Sequence, residues 1–315
     1  MSQKPIISKQ DTANFLRDKL NFNILNLTPL SGGEWSQALF FIHNNKKYVL
    51  RWSKSSEGFE KDSKAYFFNC NNMPIPKIID TGDHLGVYYA VSEFAEGRPV
   101  EELSSPEFEE ISQPLIQLLS ALRDADISNS VGYGGWDKYG KGAHDSWKKY
   151  LLNVKNDSEN NLAGGWWDNL NKSSIGTKNF DQLYFKFKSL VNKCPESREL
   201  IHSDLLNKNL LVSNSKISAV IDWQCSLYGD SLYEIAWFAY NTLWHPQIRT
   251  TGFLEKALIE YKSSSSNLSN IEERMLCYQI HIGLGSIAYN SFKKNWEMVE
   301  KSVDFTQQLV QANLQ

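Results

Sequence analysis

The sequence predicts an α+β chain of two lobes, a small N-terminal lobe on an antiparallel sheet and a larger, mainly helical C-terminal lobe. Three observations predict it. Short apolar runs broken by Gly and Asn turns fill residues 24–51. A polar stretch with a glycine, EFAEGR at 93–98, divides the N-terminal third from the remainder of the chain. Beyond Pro99 the apolar residues recur mostly at helical spacing. The expected lobes are therefore 1–95 and 96–315, with a hinge about 93–98. A chain of 315 residues with 41% hydrophobic and 22% charged side chains is long and apolar enough to bury cores of that size, which excludes wholesale disorder.

The elements follow in order. DTANFLRDKL at 11–20 places Phe15, Leu16 and Leu20 on one helical face, with Asp11 or Thr12 available as cap. LNLTPL, QALFFI and YVLRW, divided by Ser31-Gly32-Gly33-Glu34 and Asn44-Asn45, form an antiparallel meander. A helix is expected over 59–69, then MPIPKIID, then a strand at YYAVSEF. In the second lobe Leu115, Leu118, Leu119 and Leu122 make a core-facing helical stripe. Residues 130–180, rich in Gly, Asn, Ser and Trp, are expected as an irregular surface excursion. GLGSIA at 283–288 mimics a dinucleotide fingerprint, but no βαβ unit comes after it, so it is expected to pack a helix.

Charge narrows the function. With 33 basic against 36 acidic side chains, the net charge of −3 excludes a general nucleic-acid binder. The first 95 residues carry 11 basic and 9 acidic groups, +2, and the remainder 22 and 27, −5. The start MSQKPIISKQD lacks an apolar signal core, and the most apolar late stretch, 232–244, is too short to cross a bilayer. Cys70, Cys194, Cys225 and Cys277 lie far apart with no Cys-x-x-Cys pair, as reduced thiols do in a cytoplasmic protein. A cytoplasmic protein without membrane or nucleic-acid partner is expected, as a monomer or weak homodimer.

The chemistry concentrates in LIHSDLLNKNLLVSNSKISAVIDWQCSLYGDSLYEIAWF at 200–238. Asn209 stands before one apolar run and Asp222 after the next, with turn residues Ser213 to Lys216 between. If the runs pair as a hairpin, Asn209 and Asp222 meet at its open end, about one strand spacing apart. An amide oxygen and a carboxylate there form a hard oxygen site suited to Mg²⁺. Asp204, five residues before Asn209, sits on the loop feeding that site, free to orient or deprotonate a nucleophile.

The string His202-x-Asp204-x₄-Asn209 followed by Asp222 corresponds to the catalytic loop and metal-binding aspartate of the protein-kinase fold. With Ile-Asp-Trp at 221–223, Gly229-Asp230 and the helix start Tyr233-Glu234-Ile235-Ala236, the chain resembles the aminoglycoside phosphotransferase family. LSGGEWSQALFF (30–41), YVLRW (48–52), GFEKD (58–62), MPIPKIIDTGD (73–83) and AVIDWQCSLYGDSLYE (219–234) carry the resemblance across both lobes.

The resemblance implies a protein-kinase-like fold, with ATP as donor, GTP as an open alternative, and Mg²⁺. It implies Asp204 as the catalytic carboxylate, His202 as support of its loop, and Asp230 as acceptor of hydrogen bonds from the loop backbone. Asn209 and Asp222 would hold Mg²⁺. Ser31, Gly32, Gly33 and Ser36 would form the turn over the phosphates, and the backbone of Ser92, Glu93, Phe94 and Ala95 would meet adenine. Arg51 stands where protein kinases carry Lys, with Asp62 preferred and Glu60 second as its ion-pair partner. Departures from the family pattern include Ser203 for a usual Gly and Glu234 for a usual Asp. Lys208 has two readings, contact with a phosphate or, favoured on general grounds, a solvated side chain.

The implied activity is phosphorylation of a hydroxyl on a cationic, polyhydroxylated small molecule, an aminoglycoside-type antibiotic. Two alternatives are a housekeeping kinase acting on an amino alcohol, sugar or homoserine-like substrate, and a catalytically idle nucleotide-binding protein. Trp136, Tyr139, Trp147, Tyr150, Trp166 and Trp167 are open to two roles, stacking on a sugar or packing.

Overall fold

In the computed structural model, which describes residues 4–31, 33–158 and 163–313, the chain divides into two compact units. One comprises Met1–Glu102, Asp137–Gly140 and Leu205–Cys225; the other comprises Leu103–Trp136, Lys141–Asp204 and Ser226–Gln315. The first unit thus gathers the 205–225 hairpin onto the N-terminal sheet region.

The first unit begins with helix α1, Lys9–Asp18. Its cap is Ser8, whose hydroxyl accepts the Asp11 N–H at 3.0 Å, and not Asp11 or Thr12. Ser8 has the extended backbone a cap needs, whereas Thr12 is buried and takes the Trp52 indole N–H at 3.2 Å. The expected meander forms as β1 (Ile24–Pro29), β2 (Ser36–His43) and β3 (Lys46–Ser53), joined by β4 (Ile78–His84) and β5 (Val87–Glu93) in the order β1-β2-β3-β5-β4. Neighbouring strands in this sheet run antiparallel. Asn44 and Asn45 both take positive φ, which matches the twist of a two-residue hairpin turn and registers His43 opposite Lys46. Period-2 alternation sends Leu39, Phe41, Leu50 and Trp52 to one buried face, where Phe15, Leu16 and Leu27 cover them.

Helix α2 spans Glu57–Ala65, two residues earlier than expected, and closes in a 3₁₀ turn, Tyr66–Phe68. A second antiparallel sheet sets Arg98–Pro99 beside Leu210–Ser213, which pairs in turn with Lys216–Val220 through the left-handed residues Asn214 and Ser215. Gly97 permits that approach, because a Cβ there would lie 2.9 Å from the Val212 carbonyl oxygen.

The second unit is mainly helical. Ser105–Arg123 buries Leu115, Leu118 and Leu122, with Leu119 half-buried, and Ile271–Lys293 is buried along most of its length. Gly283 faces the Thr306 side chain of Trp296–Ala312, so GLGSIA does pack a helix. The described residues of 130–180 are not a surface excursion, and 159–162 lie outside the described residues. Tyr133–Trp136 pairs with Leu227–Gly229 inside a four-stranded sheet, and the helices Trp147–Leu152, Trp166–Lys172 and Lys178–Val191 come next. Trp136, Trp147 and Trp166 are buried; Trp136 stacks on Tyr228 at 5.6 Å, and the Trp147 indole donates to Tyr278 at 3.2 Å. These aromatics pack, and of the six only Tyr139 is well exposed. No helix among the described residues is long and apolar enough to cross a membrane.

Candidate active site

The hairpin brings its two oxygen donors to one end. Leu210 pairs with Val220, and the Ile221 N–H donates to the Asn209 carbonyl at 2.9 Å. Asp222 comes directly after, in a left-handed conformation at φ 59°. Such a backbone is costly for a non-glycine residue and persists where its surroundings over-determine it. Here those surroundings are visible. One Asp62 oxygen accepts the Trp223 N–H at 2.8 Å, and Lys61 donates to the Gln224 carbonyl at 2.6 Å. Two consecutive α2 residues thus hold the turn beyond Asp222.

The other Asp62 oxygen pairs with Arg51 Nη2 at 2.5 Å, so the ion pair of Arg51 forms with Asp62. Glu60 is engaged elsewhere, with Lys138 at 3.2 Å. Arg51 lies mid-strand on β3, opposite Ala38 and Ala90, its guanidinium 5.0 Å from the Phe59 ring centre. Burial opposes its charge, but Asp62 and then Asp222 outweigh this and raise its pKa. Asp222 is pushed up by burial and by the charge of Asp62, against Arg51 and Lys61. Burial pulls Lys61 down to about 8. Among the described residues no cluster of three or more His, Cys, Asp or Glu side chains forms a metal cage. Asn209 and Asp222, an amide and a carboxylate brought to one end by the hairpin register, are residue types that would hold Mg²⁺.

The loop before Asn209 is held from below. His202 is fully buried, and the N–H groups of His202 and Ser203 both donate to Glu234 Oε2, at 2.7 and 2.9 Å. Ser203 takes φ 59°, which explains why a glycine suits this position. Burial pushes the Glu234 carboxyl up to about 7, against the two backbone donors. This corrects the expectation for Asp230, which does not receive the loop backbone. Its carboxylate takes the Arg274 guanidinium in a fork at 2.9 and 2.8 Å, the Tyr261 and Tyr278 hydroxyls and the Leu232 N–H. The cause is reach: Glu234, four residues on, carries the longer side chain to the loop, while Asp230 is drawn to the buried Arg274. Asp204 is next along the loop, half-buried. Asn207 and Lys208 both adopt φ 69°, the Lys208 N–H donates to Glu101, and the Lys208 side chain is exposed.

The remaining predicted residues lie in the first unit. Ser31 and Gly33 are exposed in the turn before β2, and Ser36 opens that strand; Gly32 lies outside the described residues. Gly33 has φ 69°, and a Cβ there would meet the Ser36 carbonyl oxygen at 2.6 Å. Ser92 pairs with Val49 at the end of β5. The N–H of Glu93 donates to Lys77 and that of Phe94 to Lys47, at 3.0 and 3.1 Å. Among the described residues the Ala95 N–H makes no such backbone bond.

Sequence reasoning missed Lys61, Glu101 and the role of Glu234. Lys61 left a faint signal. Gly58 and Ala65 share its helical face, and small residues mark a face that another segment approaches closely. A Cβ on Gly58 would lie 3.3 Å from the Gln224 side chain.

The chain is similar to known proteins along most of its length. The model of the phosphotransferase enzyme family (APH) matches residues 26–262. Hygromycin-B 4-O-kinase of Escherichia coli is 27% identical over 301 residues, covering 94% of this chain and 83% of that protein. The crystal structure of aminoglycoside phosphotransferase APH(4)-Ia superposes with a TM-score of 0.85 at 26% identity, over 96% of this chain and 99% of the other. A thermostable mutant of that enzyme, in ternary complex with AMP-PNP and hygromycin B, gives 0.83 at 25% identity, over 95% and 98%. The α+β architecture, an N-terminal antiparallel sheet followed by a helical region, is that of these kinase-like enzymes. The chain belongs to the phosphotransferase enzyme family.

Proposed function

We propose that the protein transfers the γ-phosphoryl group of ATP to a hydroxyl of a cationic, polyhydroxylated acceptor, an aminocyclitol antibiotic such as hygromycin B. The observation that carries this reading is the double use of Asp62, which ties the candidate phosphate-binding Arg51 to the backbone beside the candidate metal ligand Asp222. An idle nucleotide-binding protein has no need to retain Asp204, Asn209 and Asp222 together.

In this reading the N-terminal lobe, 1–95 with its hinge at 93–98, binds the nucleotide, and 96–315 supplies the catalytic loop and the acceptor site. The Ala95 N–H meets adenine, the Ser31–Ser36 turn covers the phosphates, and Arg51 holds them through its fixed pair with Asp62. Asn209 and Asp222 hold Mg²⁺, which when bound neutralises charge on the phosphate oxygens. Asp204 aligns the acceptor hydroxyl and takes its proton as the new oxygen–phosphorus bond forms and the bond from the γ-phosphorus to the bridging oxygen breaks, releasing ADP. Glu234 and His202 keep its loop in place, and Asp230 anchors the helix start behind it. The family relation and the net charge of −5 on residues 96–315 support a cationic acceptor.

The test is a phosphoryl-transfer screen of aminoglycosides, amino alcohols and sugars with Mg·ATP, read by the mass gain of the acceptor. Product with hygromycin B or a related aminocyclitol is expected. Turnover only with neutral or anionic acceptors overturns the antibiotic assignment, and a housekeeping small-molecule kinase then takes its place.

A further inference from the structure

We propose that Lys61 is a positioning residue for the nucleotide and metal site, acting as the second arm of a clamp that sets Asp222. The inference rests on the phosphotransferase reading above and extends it to a residue with no assigned role.

The geometry is a two-point attachment. Asp62 accepts the Trp223 N–H at 2.8 Å and Lys61 donates to the Gln224 carbonyl at 2.6 Å. A single hydrogen bond leaves a turn free to swivel about it; two, of opposite polarity on adjacent residues, fix its orientation. The fixed turn is the one entered through Asp222 at φ 59°, a backbone that needs such support. Lys61 is only 2% exposed, and a buried ammonium carries a desolvation cost that a surface lysine avoids. An apolar side chain would fill the same space between α2 and the turn more cheaply. Retaining Lys here is accounted for by what it holds. Because Lys61 and Asp62 are neighbours on α2, any movement of that helix displaces the Arg51 partner and the Asp222 turn together.

The test uses the full chain and Lys61→Met, which keeps the volume and removes charge and donor. Binding of Mg·AMP-PNP is followed by calorimetry, and backbone hydrogen exchange is followed peptide by peptide. The expected result is a melting midpoint within a few degrees of wild type, Mg·AMP-PNP binding weakened roughly tenfold or more, the scale of one hydrogen bond to a charged group, and faster exchange confined to 221–226. Wild-type affinity in Lys61→Met overturns the inference and leaves the phosphotransferase reading intact. Exchange raised throughout α2 and the five-stranded sheet overturns it too, since Lys61 would then serve the fold at large. Failure of the wild-type chain to bind Mg·AMP-PNP takes down both readings.

Discussion

Asp62 Oδ1 accepts the backbone N–H of Trp223 at 2.8 Å, from a residue 161 positions further along the chain. Its Oδ2 holds Arg51 at 2.5 Å. One side chain therefore joins strand β3 and helix α2, neighbours in the chain, to the segment after the hairpin, which is remote from both. The arrangement predicts that these residues act as a unit.

A double-mutant cycle measures that unity. Arg51→Ala and Asp62→Ala should each raise the apparent constant for ATP, and the pair should show a coupling energy of about 0.5–3 kcal/mol, the range for residues in contact. Asp62→Ala should also cost stability, because it removes the acceptor of the Trp223 N–H. Strict additivity would mean that Arg51 and Asp62 work separately.

Glu234 gives a pH-dependent stability with a definite sign. Its folded pKa is raised from 4.5 to about 7, so the folded chain keeps a proton that the unfolded chain has released. The stabilisation from this group is fully present below pH 4.5 and is lost as pH rises through about 7. Glu234→Gln keeps an oxygen to accept the His202 and Ser203 N–H groups and removes the titration. The urea midpoint of wild type minus that of the variant should fall between about pH 5 and about pH 8. A constant difference would show that Glu234 stays ionised in the fold.

Asp230 and Arg274 are both fully buried and form a forked ion pair, which makes Asp230 an anchor of the second unit. Arg274→Ala leaves that carboxylate uncompensated and should cost about 3–5 kcal/mol of unfolding free energy. A loss below about 1 kcal/mol in chemical denaturation would mean that Tyr261, Tyr278 and the Leu232 N–H satisfy Asp230 without the guanidinium.

Much of this organisation was legible in the residues, for identifiable reasons. The 210–220 hairpin shows because two short apolar runs flank a turn of Ser and Asn. The Arg51–Asp62 pair shows through the family resemblance, which sets Arg51 at the lysine position of protein kinases and places its partner on the next helix. The exchange between Asp230 and Glu234 does not show. Two carboxylates four residues apart have equal local claims on the loop, and the choice is made by Arg274, 44 positions away. The 130–180 region misleads because its Gly and Asn content looks like loop. Its Trp136, Trp147 and Trp166 become core only once Leu227–Gly229 and Ile271–Lys293 are beside them. The cap of α1 shifts to Ser8 because Trp52, far along the chain, claims Thr12.

Acceptor binding should depend on ionic strength. A cationic acceptor meeting the acidic C-terminal region should lose apparent affinity between low salt and about 0.15 M, where the Debye length falls to roughly 8 Å. Initial rates at sub-saturating acceptor, measured across that range at fixed Mg·ATP, should decline. A flat profile would indicate that acceptor recognition is not electrostatic.

The division of labour between Asp204 and Asp222 is the centre of the account, and one paired calorimetric and kinetic measurement addresses it. Mg·AMP-PNP is titrated into Asp204→Asn and Asp222→Asn, and turnover of the same samples is measured with Mg·ATP and acceptor. Asp204→Asn should bind the nucleotide nearly as wild type while turnover drops at least about a hundredfold, the scale of losing a positioned base. Asp222→Asn should weaken both binding and turnover. The reverse pattern, nucleotide binding lost in Asp204→Asn and kept in Asp222→Asn, would contradict the account.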